Sequence, residues 1–515
     1  MRNMEYQLTK EVCKTSEVIL EGTKEVPVDL DLTLPDYCPD IEKLLKCRLS
    51  PSVTSKSISG DMLEIEGNML ISLYYLDSRK QAVRSCEHSA PFSCSFTVRH
   101  GADDALAMIR LRIDYLNCRA LSPRRVDIHG AFSVVADVIA ASDQEYYSAI
   151  QGDDIQQKKA MLTVSRLCAA SQQQFSITEV LDIGQGKGFP ESILRSELAV
   201  SCGSVKALTD KLMVSGEASL RILYVTDIES GAQDVMTFNI PFSQVLDAKG
   251  ISDTTTNEVT VEVMNYDTAL KSEYEENSTL VTLDARLCAT VTATEDAPVE
   301  LVVDAYSTDY ELETENKQYK FTRLRGLLNE EFSVKSEVNT GDCGISRVID
   351  LWCDSVSSLW SVDNDVLTVR GKATCCILAL DREGVPYYVE RPIDFTAEPE
   401  AAGMISNPSV KTEVRPTGLS FRITGENSLE IKLDMRLTGS VSEQITVKGI
   451  VGARCNDDRC RLKDKTAALT LYYAEKGESL WDIACAYCTS AEAIRLENEM
   501  TEDLIPADGM ILIPM

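Results

Sequence analysis

The sequence predicts a mainly β protein: three tandem, sandwich-like β-rich repeats, each with a short helix, followed by a small C-terminal βααβ module. Three observations predict this. Apolar and polar residues alternate along the recurring runs, which are enriched in β-branched and aromatic residues, as half-buried strands require. A block of strand, glycine, longer strand, Asp-containing turn and polar strand recurs at about 150 residues, a domain-sized rather than solenoid-sized period. From residue 468 onward the pattern changes to strand, two amphipathic helices and strand.

The repeated block reads "MLEIEGNMLISLYYLD", "KLMVSGEASLRILYVTD" and "VLTVRGKATCCILALD", with Gly67, Gly216 and Gly371 at equivalent places. The turn that follows carries Asp77, Asp227 or Asp381, and the next strand carries Pro91, Pro241 or Pro392 beside apolar residues. Downstream, each copy adds a strand, a polar turn and a long alternating strand, as in "IRLRIDYLNCRALSPRRVDIHGAFSVVADV". Upstream, "PDIEKLLK", "FPESILR" and "ISRVIDLW" each predict a short helix. In the first, Pro39 and Asp40 open the helix and Ile41, Leu44 and Leu45 supply the stripe. The expected domains are 1–162, 163–325 and 326–466, with the polar "SDQEYYSAIQGDDIQQKKAM" as the first linker and a candidate helix.

In the terminal module (467–515), "LTLYYA" predicts a strand. Ser479 sits at the N-cap of a helix that buries Leu480, Ile483, Ala484 and Tyr487. Thr489 or Ser490 caps a second helix with Ala493, Ile494 and Leu496 as its apolar positions, and "GMILIP" is the return strand.

Composition narrows the function. Hydrophobic residues at 44% and charged residues at 26% describe an ordinary globular chain. With 51 basic against 81 acidic residues the net charge is −30, a field that repels phosphate backbones and anionic lipid. Nucleic-acid partners are therefore not expected. "MRNMEYQLTKEVCK" lacks a signal-peptide core and no run reaches membrane-span length, so the chain is expected to stay in its compartment of synthesis. Its 17 cysteines are then expected as reduced, mostly buried thiols.

No catalytic constellation emerges. His88, His100 and His129 all fall in the first repeat, so no general base is shared among the copies. Zincin, P-loop and nucleophile-elbow motifs are absent, and "GQGKG" at 184–188 reads as a flexible loop. Cys455 and Cys460 with Cys485 and Cys488 have zinc-like spacing, but Cys485 and Cys488 lie in and just after a helix with its own role. Neither enzyme activity, cofactor nor metal is expected.

Two stretches resemble known families. "VPVDLDLTLPDYCPDIEKLLKCRLSPSVTSKSISGDMLEIEG" is similar to the SPOCS domain of endospore-forming bacteria, with the run Pro35-Asp36-Tyr37-Cys38-Pro39-Asp40-Ile41 as its hallmark. "YLNCRALSPRRVDI" adds to the likeness. The hallmark serves as a rigid turn at a helix start or as a contact site. The second and third copies keep the strand pattern and lose this run.

The terminal module resembles LysM through Tyr473, Gly477-Glu478-Ser479-Leu480-Trp481, Ile483-Ala484, Tyr487, Asn498, Gly509 and Leu512-Ile513-Pro514. Tyr473, Trp481, Ile483 and Tyr487 are the expected core. The resemblance implies an N-acetylglucosamine groove between the loops Gly477–Leu480 and Leu504–Pro506, the latter including Ile505. Two departures weaken the sugar reading: Cys488 stands where a helix-ending glycine is usual, and the module is acidic.

The whole arrangement looks like the spore-coat morphogenetic proteins of the SipL type and, more distantly, the SpoVID type. It implies a non-catalytic adaptor in the mother-cell cytoplasm, recruited to the forespore surface. Its partners there would be spore-coat proteins, notably the basement-layer coat ATPase. The alternative is a peptidoglycan-binding protein acting through LysM.

Overall fold

Six strands in one fixed order build each repeat. The structure, a computed structural model, describes residues 3–79, 82–98, 105–183, 187–273, 278–364, 366–400, 407–460 and 469–514. A short strand β1 (Asn3–Glu5) precedes the first repeat. That repeat contains β2 (Leu8–Thr33), β3 (Ile41–Ser59), β4 (Met62–Asp77), β5 (Val83–Thr97), β6 (Leu106–Ser122) and β7 (Arg125–Ile150). The second contains β8 (Ile155–Asp182), β9 (Ser192–Leu208), β10 (Lys211–Asp227), β11 (Ala232–Asp247), β12 (Thr256–Glu273) and β13 (Ser278–Ser307). The third contains β14 (Tyr310–Asn339), β15 (Arg347–Asp363), β16 (Val366–Leu380), β17 (Pro386–Ala397), β18 (Pro408–Ile423) and β19 (Ser428–Cys460). The module consists of β20 (Leu469–Ala474), α1 (Leu480–Tyr487), α2 (Ala491–Glu497) and β21 (Gly509–Pro514).

Within each repeat, three strands form an antiparallel meander: β3-β4-β5, β9-β10-β11 and β15-β16-β17. The other three form a second sheet, ordered β2-β7-β6, β12-β13-β8 and β14-β19-β18. The inner faces of the two sheets share one apolar layer. Leu49, Leu63, Ile71 and Phe92 meet Val28, Val126, Phe132 and Val134 in the first repeat. Leu220 and Ile222 meet Leu283 and Leu287 in the second, and Val369 and Phe395 meet Leu433 and Met435 in the third.

The recurring glycine has a steric cause. A Cβ at Gly67 would stand 2.2 Å from the Ser52 carbonyl oxygen and 2.4 Å from the Phe92 ring. At Gly216 it would meet Ser201 O at 2.2 Å and Phe242 at 2.6 Å, and at Gly371 Ser357 O at 2.1 Å and Phe395 at 2.4 Å. In all three, a cross-strand phenylalanine lies over the glycine, so the ring fills the space of the missing side chain. The recurring aspartates close the next turn. Asp77, Asp227 and Asp381 accept hydrogen bonds from the backbone N–H groups of Arg79, Glu229 and Glu383, an Asx turn each time.

The long strands reach beyond their own repeat. Cys13 and Tyr146 of the first repeat, Val164, Val299 and Leu301 of the second, and Tyr319 and Phe321 of the third pack into one shared cluster. Farther out, Tyr6, Ile150, Ile155, Val302, Ile450 and Cys455 form another. β1 pairs antiparallel with Arg454–Asn456 of β19, fastening the start of the first repeat to the end of the third.

Two expectations are corrected. The segments beginning at Ile41, Ser192 and Arg347 are strands, not helices. Bulges explain the misleading pattern: Leu45, Leu194 and Ile349 are each skipped in the pairing register. An extra residue breaks the two-residue period and leaves apolar side chains at helix-like spacing. The polar stretch 142–161 is the end of β7, a turn at 151–154 and the start of β8, with the Ile155 N–H donating to the Gly152 carbonyl. Residues 162–163 lie within β8 and 325–326 within β14, while 466–467 fall outside the described residues.

Candidate functional site

Three places gather the residues singled out in the sequence or by the fold. The first is the hallmark turn. Arg124, from the "SPRR" stretch, reaches into it and donates to the carbonyl oxygens of Leu34 (3.2 Å), Pro35 (2.8 Å) and Cys38 (3.0 Å) and to Asp40 Oδ1 (2.8 Å). The Ile41 N–H donates to Pro123 O, and Tyr75 Oη donates to Pro39 O. The two resembling segments are therefore one unit: a rigid turn wound around a guanidinium. The turn leads into β3 and leaves Asp36 and Tyr37 exposed at its tip, Tyr37 by 85%.

The second place lies where the three meanders meet, and sequence reasoning missed it. The bulged residues Leu45, Leu194 and Ile349 all point into one cluster with Leu76, Leu223, Trp352 and Leu378. The residue after each bulge is charged: Lys46, Arg195 and Asp350 pair opposite Tyr74, Leu223 and Leu378, the same register position in each repeat. Arg195 Nη2 donates to Asp350 Oδ2 at 2.8 Å, and Arg221 Nη2 donates to Asp350 Oδ1 at 2.7 Å. Arg195 also binds Glu197 at 2.5 Å and lies 4.6 Å from the Trp352 ring centroid. Lys46 reaches Glu390 at 2.5 Å and Asp354 at 3.1 Å, while Arg48 bridges Asp354 and Glu197.

The network thus links all three repeats and joins the third back to the first. Burial alone would raise the Asp350 pKa, but Arg195 and Arg221 outweigh it and hold the carboxyl below its ordinary value. The "EKLLK", "SILR" and "VIDL" spellings carried the signal: an apolar residue followed by a charge after each expected helix start.

The third place is the C-terminal module. The loops Gly477–Leu480 and Leu504–Pro506 do come together, but as a zipped pair. The Gly477 N–H donates to Ile505 O, the Ile505 N–H to Glu478 O and the Leu480 N–H to Asp503 O, each at 2.9 Å, with Ser479 bridged to Leu504. Those amides are thereby occupied. Leu480 and Ile505 are buried, so of the expected groove only Gly477, Leu504 and Pro506 are well exposed. The Glu478 carboxylate accepts from the Glu475 N–H and from Tyr472 Oη, and that contact raises the Tyr472 pKa. Ser479 holds the N-cap conformation with no side-chain capping bond, whereas Ser490 caps α2 by accepting from the Ala493 N–H.

The expected core holds at Ile483, which is buried, and at half-buried Tyr487. It fails at Tyr473, which is 66% exposed; its neighbour Tyr472 faces inward against Tyr487. Adjacent strand residues face opposite sides, so a shift of one position inverts the assignment. Trp481 packs on the core edge and also reaches outside the module. Its indole N–H donates to Asp304 Oδ2 at 2.8 Å and its ring meets Tyr306 of β13 edge-on, while Tyr306 Oη donates to Thr489 O. Asn498 ties α2 to the return strand through both backbone groups of Leu512. Cys488 caps α1 in the left-handed conformation at φ 56°, the place where glycine is favoured.

Among the described residues, no group of three or more His, Cys, Asp or Glu is placed to hold a metal ion, and no helix is long and apolar enough to cross a membrane. Cys455 is buried in the shared cluster, and the Cys460 side chain lies outside the described residues. His129 is exposed between Asp29 and Asp127; His100 and residues 184–186 lie outside the described residues.

With this geometry in hand, the family model described as "SipL, SPOCS domain" matches residues 40–121 and 190–271. The matched segments span β3–β6 and β9–β12. The chain thus carries two SipL-type SPOCS segments, a domain family tied to the sporulation coat. The third repeat shows the same six-strand order in β14–β19. No curated protein and no solved structure matches the chain.

Proposed function

We propose that the chain is a non-catalytic spore-coat adaptor: a platform of three SPOCS-type sandwich repeats carrying a LysM-type module that captures a coat protein. The SPOCS match carries this reading. The interlocking of the repeats supports a platform, since the first and third, which are not neighbours in sequence, are joined by β1 and by Lys46. The repeat domains are taken to extend to about residues 162, 325 and 466, the first two limits falling within β8 and β14, past the turns that separate the repeats. The βααβ order and the Asn498 tie support a LysM-type fold.

Protein capture is favoured over N-acetylglucosamine binding because the loop amides suited to an acetamido group are bonded to the opposite loop. The site of action is the mother-cell cytoplasm at the forespore surface, the basement-layer coat ATPase is the partner, and no reaction is catalysed. A fluorescent fusion followed through sporulation tests this. The full chain is expected to encircle the forespore and the chain without residues 467–515 to lose that pattern. A full chain that stays diffuse overturns the coat reading, and a truncated chain that still encircles overturns the role of the module.

A further inference from the structure

The helices of the module cover only one face of its two-stranded sheet. Along β20 the inward residues are Tyr472 and Ala474, and along β21 they are Ile511 and Ile513. The period of two then sends Leu469, Leu471 and Tyr473 to the other face, joined from β21 by Met510 and Leu512. The register puts Tyr473 directly opposite Met510 and Leu471 opposite Leu512, so these side chains form one patch rather than scattered positions. Leu471 and Tyr473 are each 66% exposed and Met510 is 72% exposed. Trp481 and Thr489, on the helix side, hold the module against β13, so the outer sheet face is the one turned away from the repeats.

A polar outer face is the ordinary solution for so small a sheet, because exposed apolar area promotes association and adds nothing to the module's own core. The charge around the patch indicates what covers it. Glu475 follows β20 at the Tyr473 end, and Asp508 precedes β21 beside Met510, its carboxylate accepting from the Lys476 N–H. Across the module, nine Asp and Glu stand against Lys476 and Arg495 alone. An acidic partner, or a second acidic copy of this chain, would be repelled at this rim.

We propose that the outer face of the β20–β21 sheet, and not the pair of loops, is the docking surface of the module, and that its occupant is a basic amphipathic segment of a partner protein. The apolar stripe of that segment lies on Leu471, Tyr473 and Met510, and its Lys or Arg residues meet the acidic rim. This rests on the reading of the module as a capture element.

The test uses the full chain and a synthetic amphipathic helix with leucines on one face and lysines on the other, followed by fluorescence anisotropy. Leu471→Ser combined with Met510→Ser is expected to weaken binding about tenfold or more, while Leu504→Ser, on the exposed loop, leaves it unchanged. The same helix with glutamates in place of lysines is expected not to bind. Both substituted sites are exposed, and an unchanged melting curve confirms that the variants stay folded. Absence of binding, equal binding of the glutamate helix, or indifference to the two serine substitutions overturns the proposal. Coat recruitment that needs residues 467–515 yet ignores both substitutions would refute this face while leaving the adaptor reading intact.

Discussion

Replacing Asp350 with alanine should be among the most damaging single changes in the repeats. The Asp350 side chain is fully buried, and its main partner Arg195 retains only 1% side-chain exposure. Removing the carboxylate leaves the Arg195 guanidinium at the junction with Glu197 as its remaining bonded partner. Breaking a buried pair in this way costs about 3–5 kcal/mol, because the surviving charge stays desolvated. Arg221 adds little to that figure, since its side chain is 32% exposed and can turn toward water. Guanidinium denaturation at neutral pH, followed by far-ultraviolet circular dichroism and by fluorescence of Trp352 beside Arg195, measures the loss.

Arg195→Met combined with Asp350→Leu should recover most of the stability, because no charge is then stranded. The pH dependence follows with its sign. A carboxyl held below its ordinary 3.8 stabilises the fold above that value and loses the contribution as pH falls through the lower folded-state value. The native chain should therefore loosen at the junction below about pH 4, a component that Asp350→Asn lacks. A loss under about 1 kcal/mol for Asp350→Ala, the scale of an exposed pair, would refute the reasoning.

Gly371→Ala should cost about 1–3 kcal/mol, since its Cβ would meet the Ser357 carbonyl at 2.1 Å and backbone must yield; urea unfolding checks it against Gly384→Ala, where space is open but φ is positive. Cys488→Gly should stabilise α1 by about 1 kcal/mol by relieving a left-handed non-glycine residue, read as slower amide exchange in residues 480–487.

Much of the fold was legible because its cause is local. Period-two patterning marks a strand wherever it occurs, and Gly67, Gly216 and Gly371 recur because one steric demand, a phenylalanine ring over a bare backbone, recurs with them. The βααβ order of the module was equally plain from Leu480, Ile483 and Ile494 at helical spacing. The bulges at Leu45, Leu194 and Ile349 were hidden because a single skipped residue turns a strand's alternation into a convincing helical stripe. The charges after those bulges carried no signal of their own, since nothing local distinguishes them from surface charges. Only the meeting of three repeats, a long-range event, makes Lys46, Arg195 and Asp350 neighbours of a shared interior.

At the module the loops Gly477–Leu480 and Leu504–Pro506 lie against each other. Their mutual hydrogen bonds and the burial of Ile505 depend on register, which the sequence does not spell out. The same ambiguity of one residue exchanged Tyr473 for Tyr472 and concealed the outer apolar face.

The adaptor account is tested most directly by titrating the purified chain with the purified basement-layer coat ATPase in a calorimeter, alongside the chain without residues 467–515 and a parallel titration with chitooligosaccharide. The account predicts micromolar or tighter binding of the ATPase, loss of that binding on removing the module, and no sugar binding of comparable strength. Tight sugar binding, or ATPase binding that survives removal of the module, would contradict it.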